Sequence, residues 1–148
     1  MSFSIVLPIW QALQERFHKT VKALPEQDLS LRLGSSSIES MLRHNAEVEF
    51  IFAEWFFGKS IPEEMKKFVK RGEDGDDTLL TKDELVDLLA ASNSHLIEAM
   101  RELPEEAWHN RVETSMGAST PLEAVGRLMY HTGIHSGQIS LIQKNARS

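Results

Sequence analysis

Three of the six histidines stand where a metal ion could be bound. His131 and His135 are four residues apart, so in a helix both imidazoles lie on one face, close enough to share an ion. His44 belongs to the apolar stripe of another helical segment, three residues after Met41 and four before Val48, and we expect it to face inward. A third imidazole from a facing helix would complete a tris-histidine site that keeps open positions for water or substrate.

The spacing of these histidines also has a simpler interpretation. Imidazoles buried without partners cost on the order of a few kcal/mol each, because their ring nitrogens lose water. A shared metal ion would supply the missing bonds in one step. Alternatively, each ring forms a hydrogen bond with a neighbouring polar side chain or faces water at the end of the helices. Spacing alone leaves both interpretations open.

Three further side chains are candidates for catalytic roles. Gln138 is three residues after His135, on the same helix face, where it would orient a substrate or a ligand imidazole; a hydrogen bond at the edge of the core is the equal alternative. Glu47 lies one turn beyond His44 and is a candidate general base or hydrogen-bond acceptor, although helical glutamates usually face solvent. Tyr130, the only tyrosine, is either a pocket hydroxyl or a boundary residue.

The chain contains no cysteine. This excludes disulfides, thiolate metal sites, iron-sulfur clusters and a cysteine nucleophile, so the histidines are the candidate ligands and bases. His95 flanks the stripe of a third helical segment, from which it can approach the site. We expect His18 and His109 to face solvent.

Four segments with apolar residues at alternating spacings of three and four are predicted to be helices. The first ends at Pro25. The second spans about residues 37–57, with Ser36 and Glu39 as a capping box and Gly58 as its C-terminal stop.

The third and fourth helices have similar start signals. Thr81 and Glu84 form a capping box before the third helix, which Pro104 ends. Thr120 and Glu123 form another at the start of the fourth, which continues for about 25 residues.

Four long amphipathic helices in a chain of 16.8 kDa predict an all-α four-helix bundle, one domain over residues 1–148. The long connector over residues 59–80 could travel back along a helix, which would make helices two and three parallel. Within it, residues 62–70 suit a short amphipathic helix. Residues 72–77 are acidic but lack the ligand spacing of a calcium loop, so a solvated turn is predicted. Residues 111–116 are the one segment expected to be briefly extended.

Charge and hydropathy exclude several classes of partner. The 16 basic residues against 22 acidic ones give a net charge of −6 with no basic block, so no nucleic acid partner is expected. No apolar run reaches the roughly 18 to 20 residues of a membrane span, and the first residues show no signal-peptide pattern. We therefore expect a cytoplasmic protein without a membrane partner.

The sequence around the histidines resembles the DinB-like superfamily of metal-binding four-helix bundles, which includes the YfiT-type proteins. The resemblance rests on Arg-His-Asn-Ala-Glu at 43–47, on the pattern H-x-x-x-H-x-G-Q at 131–138 and on the Thr-Pro-Leu-Glu start at 120–123. It covers essentially the whole chain. It implies an up-down-down-up bundle, a divalent nickel, zinc or iron ion on His44, His131 and His135, and a homodimer.

The activities of this superfamily are diverse, so the resemblance leaves several functions open. Its members include S-transferases that use bacillithiol or mycothiol, a mycothiol-dependent isomerase and metal-dependent hydrolases. The resemblance thus implies transfer of a small thiol to an electrophilic substrate, or hydrolysis; the alternative is a non-catalytic, dimeric metal- or ligand-binding bundle. Three neutral imidazoles leave the full charge on a metal ion, which favours loss of a proton from water or a thiol. Without cysteine, any sulfur nucleophile must be a cosubstrate.

Overall fold

Four long helices dominate the computed structural model, which describes residues 1–69 and 79–146. They are α1 (Ser2–Lys22), α2 (Ile38–Phe57), α3 (Lys82–Glu102) and α4 (Pro121–Ala146). Short 3-10 helices cover Glu26–Ser30, Glu63–Phe68 and Glu105–His109, and two antiparallel hairpins pair β1 (Arg32–Leu33) with β2 (Ser36–Ser37) and β3 (Val112–Thr114) with β4 (Gly117–Ser119). The predicted all-α, four-helix fold is confirmed.

The start of α2 differs by one residue from the prediction. Its N-cap is Ser37, whose hydroxyl accepts a hydrogen bond from the N–H of Ser40, while the Ser40 hydroxyl accepts one from the N–H of Ser37. The predicted box of Ser36 and Glu39 is wrong by one residue, because the extended β1–β2 hairpin continues through Ser37 and the helix begins only at Ile38. Glu39 is buried instead, and its carboxylate accepts a hydrogen bond from the N–H of Leu80.

The other predicted helix boundaries agree closely with the structure. Thr81 and Glu84 form a reciprocal capping box at α3, and Thr120 and Glu123 form one at α4. Helix α2 ends at Gly58, which has a φ of 70° that favours glycine. Local side chain to backbone hydrogen bonds therefore fix where three of the four helices begin.

The helices pack in the cyclic order α1, α3, α2, α4. The start of α3 meets both the end of α1, where Lys82 donates to the carbonyl oxygen of Lys22, and the start of α2, where Leu80 contacts Glu39. The last turn of α4 reaches the segment after α1 through Gln143. Helices α1 and α4 therefore run parallel to each other and opposite to α2 and α3, which is the up-down-down-up arrangement.

The connectors differ in detail from the prediction. An amphipathic helix was predicted over residues 62–70; the described part of that range, up to residue 69, instead contains the shorter 3-10 helix over 63–68. The segment 111–116, which was expected to be briefly extended, contains strand β3. The acidic segment 72–77 lies outside the described residues. Within the described part of the chain, no helix has both the length and the apolar character of a membrane span.

The core forms two apolar clusters, one toward each end of the helices. One includes Trp10, Phe52, Leu96 and Leu128, and the other includes Phe17, Leu42, Leu85 and Ile139. Along every helix, the positions between the two clusters carry buried polar side chains: Gln14, Asn45, Glu49, Ser92 and Thr132. We call these five residues the polar layer.

Candidate metal centre

Helices α2 and α4 bring His44, His131 and His135 together. One ligand nitrogen of each ring lies within 4.8 Å of the other two. The Nε2 atoms of His131 and His135 are 3.1 Å apart, close to the roughly 3.3 Å that separates two nitrogens on one tetrahedral ion at about 2.05 Å. The three nitrogens therefore lie close enough together to be candidate ligands of a single metal ion.

The site lies at the edge of the bundle, and the expectation that His44 faces inward is wrong. Its side chain is 45% exposed, whereas His131 and His135 are half-buried. The next residue, Asn45, takes the inward position on α2, and successive helical side chains point about 100° apart. His44 is thus turned toward the groove between α2 and α4, where small molecules can reach the ring nitrogens.

Two oxygen acceptors orient the imidazoles through Nδ1. The Nδ1 atom of His44 is 2.9 Å from Oε1 of Glu47, and that of His135 is 2.9 Å from Oε1 of Gln138. Because carboxylate and amide oxygens only accept, each Nδ1 donates a proton and each Nε2 keeps its lone pair. Glu47 is buried, unlike most helical glutamates. These contacts are the support that histidine ligands of metals usually have.

Burial keeps the rings on α4 in the form that binds metal. Loss of solvation, together with smaller effects of the neighbouring rings of His135 and His44, lowers the pKa of His131 to about 4. The pKa of His135 is also lowered, mainly by burial, with Gln138 opposing the change. At neutral pH both imidazoles on α4 are therefore neutral, so an ion does not have to displace protons from them.

The remaining candidates lie away from this centre. Tyr130 is 74% exposed on the outer face of α4. His95 packs beside the ring of Phe50, with 5.4 Å between ring centroids. His109 is exposed as predicted, but the expectation that His18 faces solvent is wrong: its Nε2 atom is buried at the boundary of α1 and α3, and this burial lowers its pKa.

The polar layer is the part of the site region that the sequence analysis missed. Within it, the Ser92 hydroxyl donates to Oε1 of Glu49 at 2.6 Å, and the Thr132 hydroxyl donates to Oδ1 of Asn45 at 3.2 Å. Burial raises the pKa of Glu49 to about 8, although the hydrogen bond from Ser92 opposes the change. The sequence did contain a signal for this layer, because each of the four helices has a polar residue at a position where its inward face is otherwise apolar.

The chain matches one protein family over most of its length. A family model described as the DinB superfamily matches residues 9–139. The chain belongs to the DinB superfamily. A search among curated protein sequences found no match.

Solved structures of DinB-like proteins share the fold. A DinB-like protein from Bacillus cereus ATCC 10987 superposes with a TM-score of 0.73 at 17% identity, over 95% of this chain and 89% of that chain. A mycothiol-dependent maleylpyruvate isomerase gives 0.65 at 17% identity, over 93% of this chain. This chain spans 60% of the length of that isomerase. A conserved protein from Enterococcus faecalis gives 0.64 at 17% identity over 91% of both chains.

Proposed function

We propose that this DinB-superfamily protein is a metal-dependent enzyme that transfers a low-molecular-weight thiol to an electrophilic small molecule. One observation carries the proposal: two neutral, half-buried imidazoles of α4 and one imidazole of α2 converge at an edge that is open to solvent. Zinc, nickel and iron all accept imidazole ligands, so the donor set suits each of them.

The residues of the site fit such an ion. His44, His131 and His135 would hold it, and three protein ligands leave positions for exchangeable molecules. When bound, a divalent ion supplies Lewis acidity, which favours loss of a proton from a thiol or water. Glu47 contacts the ring of His44, and Gln138 contacts the ring of His135. We therefore assign to Glu47 and Gln138 the role of orienting the imidazoles that would bind the ion. Tyr130, on the outer face, has no role in the proposal.

The transfer needs only the thiol, the electrophile and the bound ion. The thiol sulfur forms a bond to the electrophilic carbon, the bond from that carbon to its leaving group breaks, and the thiol proton leaves with the departing group. The sulfur comes from a cosubstrate, because the chain has no cysteine. The 45% exposure of His44 leaves space for that cosubstrate beside the ligands. We place the reaction in the cytoplasm, where small thiols are kept reduced.

Similarity to a mycothiol-dependent isomerase supports the choice of a thiol as nucleophile. The low identity limits this support to the fold, and the chemistry of the site carries the rest. Hydrolysis is the second candidate reaction, because an open position at a solvent-exposed site is as accessible to water as to a thiol.

Turnover assays with untagged protein test the proposal. We expect consumption of alkyl halides or epoxides only when a thiol such as bacillithiol or mycothiol and a divalent ion are both present. A chelator and the His44→Ala substitution should each abolish it. Hydrolysis of esters that needs metal but no thiol would instead establish the hydrolase. Metal binding without turnover of either class would establish the non-catalytic bundle, and turnover independent of both thiol and metal would contradict the proposal.

We also propose that the protein forms a homodimer through the outer face of α1 and α4. The exposed large apolar side chains on the four long helices all belong to this parallel pair: Ile5, Ile9, Leu122, Tyr130, Ile134 and Leu141. Helices α2 and α3 contribute none within the described residues. Exposed apolar patches on a folded protein usually mark an interface, and a second copy would cover the same face on both partners.

Charge introduced on this face should separate the dimer. We expect Ile9→Glu and Ile134→Glu to lower the mass measured by light scattering or analytical ultracentrifugation from two chains to one, because each would bury uncompensated carboxylates. Leu33→Glu places the same charge on the exposed β1–β2 hairpin and should leave a dimer. A wild-type protein that is monomeric at all micromolar concentrations would contradict this part of the proposal.

A further inference from the structure

The polar layer crosses the bundle next to the candidate ligands. Asn45 follows His44 directly in α2, and Thr132 follows His131 directly in α4. Asn45 is 1% exposed and Thr132 is 2% exposed, so both point into the interior while the adjacent imidazoles point to the groove. The layer is therefore placed to link the two helices at the level of the metal centre.

A direct hydrogen bond makes this link. The Thr132 hydroxyl donates to Oδ1 of Asn45 at 3.2 Å, between residues 87 positions apart in the chain. Both atoms are buried, so breaking the bond would leave a polar group without water as a substitute. By contrast, the apolar contacts above and below this level are non-directional and constrain axial sliding of α2 along α4 less strictly.

The remaining members of the layer extend this link toward the other two helices. Glu49 lies one turn after Asn45 on α2 and accepts a 2.6 Å hydrogen bond from Ser92 of α3. The buried amide of Gln14, from α1, lies near enough to Glu49 to affect its pKa. Four buried atoms of the layer have no hydrogen-bond partner among the described residues: Gln14 Oε1, Gln14 Nε2, Asn45 Nδ2 and Glu49 Oε2. The Asn45–Thr132 bond is the one hydrogen bond of the layer that joins the two ligand-bearing helices.

We propose that Asn45 and Thr132 are positioning residues for the metal centre. Their hydrogen bond fixes the register of α2 against α4, so that His44 meets His131 and His135 at ligand distance. A slip of one residue along either helix changes the height of a side chain by about 1.5 Å and its direction by about 100°. Metal ligands tolerate far smaller displacements. This inference rests on the proposed metal function and concerns residues that would not touch the ion.

Substitutions at Thr132 test the inference, with zinc affinity measured by competition against a chromophoric chelator. Thr132→Val keeps the shape of the side chain but removes the donor, and we expect it to weaken zinc binding about 10- to 100-fold, as loss of supporting contacts around ligands typically does. Thr132→Ser retains the hydroxyl and should stay within about threefold of wild type. The absorption bands of bound Co²⁺ should change in the valine variant and be restored in the serine variant, because they report ligand geometry.

Ser92→Ala is the matched control, because it removes a hydroxyl from the same layer on a helix without ligands. It should lower the melting temperature and leave zinc affinity and the Co²⁺ spectrum unchanged. If Thr132→Val does not fold, the double variant Asn45→Leu/Thr132→Val, which removes both polar partners, replaces it and should show the same loss of affinity.

The possible failures are distinguishable. Wild-type zinc affinity and an unchanged Co²⁺ spectrum in a folded variant without the hydrogen bond would overturn the positioning role and leave the metal centre intact. Equal losses of affinity in the Ser92→Ala control would also overturn it, because the effect would then follow general stability. A wild-type protein that binds no metal would overturn the proposed function and this inference together.

Discussion

The His135→Ala variant is expected to lose nearly all bound metal. Wild-type protein purified without a histidine tag should carry about one divalent ion per chain, and the variant should carry close to none. His135 supplies one of three converging nitrogens, and its Nε2 atom lies 3.1 Å from that of His131. Two remaining imidazoles on different helices chelate poorly, so we expect affinity to fall by more than about 100-fold. Elemental analysis by mass spectrometry provides the measurement.

A histidine outside the site provides the control. His109 is 59% exposed and contacts Glu105, so His109→Ala removes an imidazole without touching the centre and should retain about one ion. His44→Ala should also lose most of the bound metal, because the two imidazoles left on α4 are one ligand short of the site. Unchanged metal content in both ligand variants would rule out this site as the metal centre.

The Glu49→Gln variant is expected to be more stable than wild type at pH 8 and nearly equal to it near pH 4.5. Glu49 is fully buried, and burial raises its pKa from 4.5 to about 8. Glutamine has nearly the same shape, carries no charge and can still accept the hydrogen bond from Ser92. The substitution therefore removes the cost of a buried carboxylate without removing its main contact.

The sign follows from proton binding. Between pH 4.5 and about 8 the folded protein keeps the proton of Glu49 while the unfolded chain has released it, so the unfolded state binds fewer protons and wild-type stability falls as pH rises. The slope is at most about 1.4 kcal/mol for each pH unit. Below 4.5 and above about 8, the difference between variant and wild type should level off.

Urea denaturation at a series of pH values measures the difference in unfolding free energy between variant and wild type. Taking this difference cancels the titration of the groups that the two proteins share. Glu98→Gln is the control, since that side chain is 53% exposed and should give a small difference that does not follow pH in this way. A Glu49→Gln difference that is constant from pH 5 to pH 8 would show that the carboxyl of Glu49 titrates normally in the folded protein.

The parts of the fold that follow from local interactions could be predicted from the sequence. The capping boxes at Thr81 and Thr120 involve residues three apart, so the pattern contains all the information needed. The β1–β2 hairpin could not be predicted, because strands of two residues show no periodicity, and it displaced the predicted cap from Ser36 to Ser37. The error at this boundary thus arose where a very short element competed with a local signal.

The candidate site shows the same division. The four-residue spacing of His131 and His135 predicts their common face, and the structure places both there. Which of two adjacent residues on α2 points inward depends on how α2 is rotated against α3 and α4, and the stripe does not fix that rotation. The outcome was Asn45 inside and His44 at the groove. The buried hydrogen bond of Thr132 could not be predicted either, because its partner, Asn45, is 87 positions away in the chain.

The groove between α2 and α4 joins two distant stretches of chain. A ligand held by imidazoles from both helices closes a loop of nearly ninety residues, which contains α3, the long connector and the β3–β4 hairpin. An ion that binds the folded chain and not the unfolded one adds about 2.7 kcal/mol of stability at a hundredfold excess over its Kd. The metal supply of the cell would then set how long the protein survives between synthesis and degradation, in addition to whether it is active.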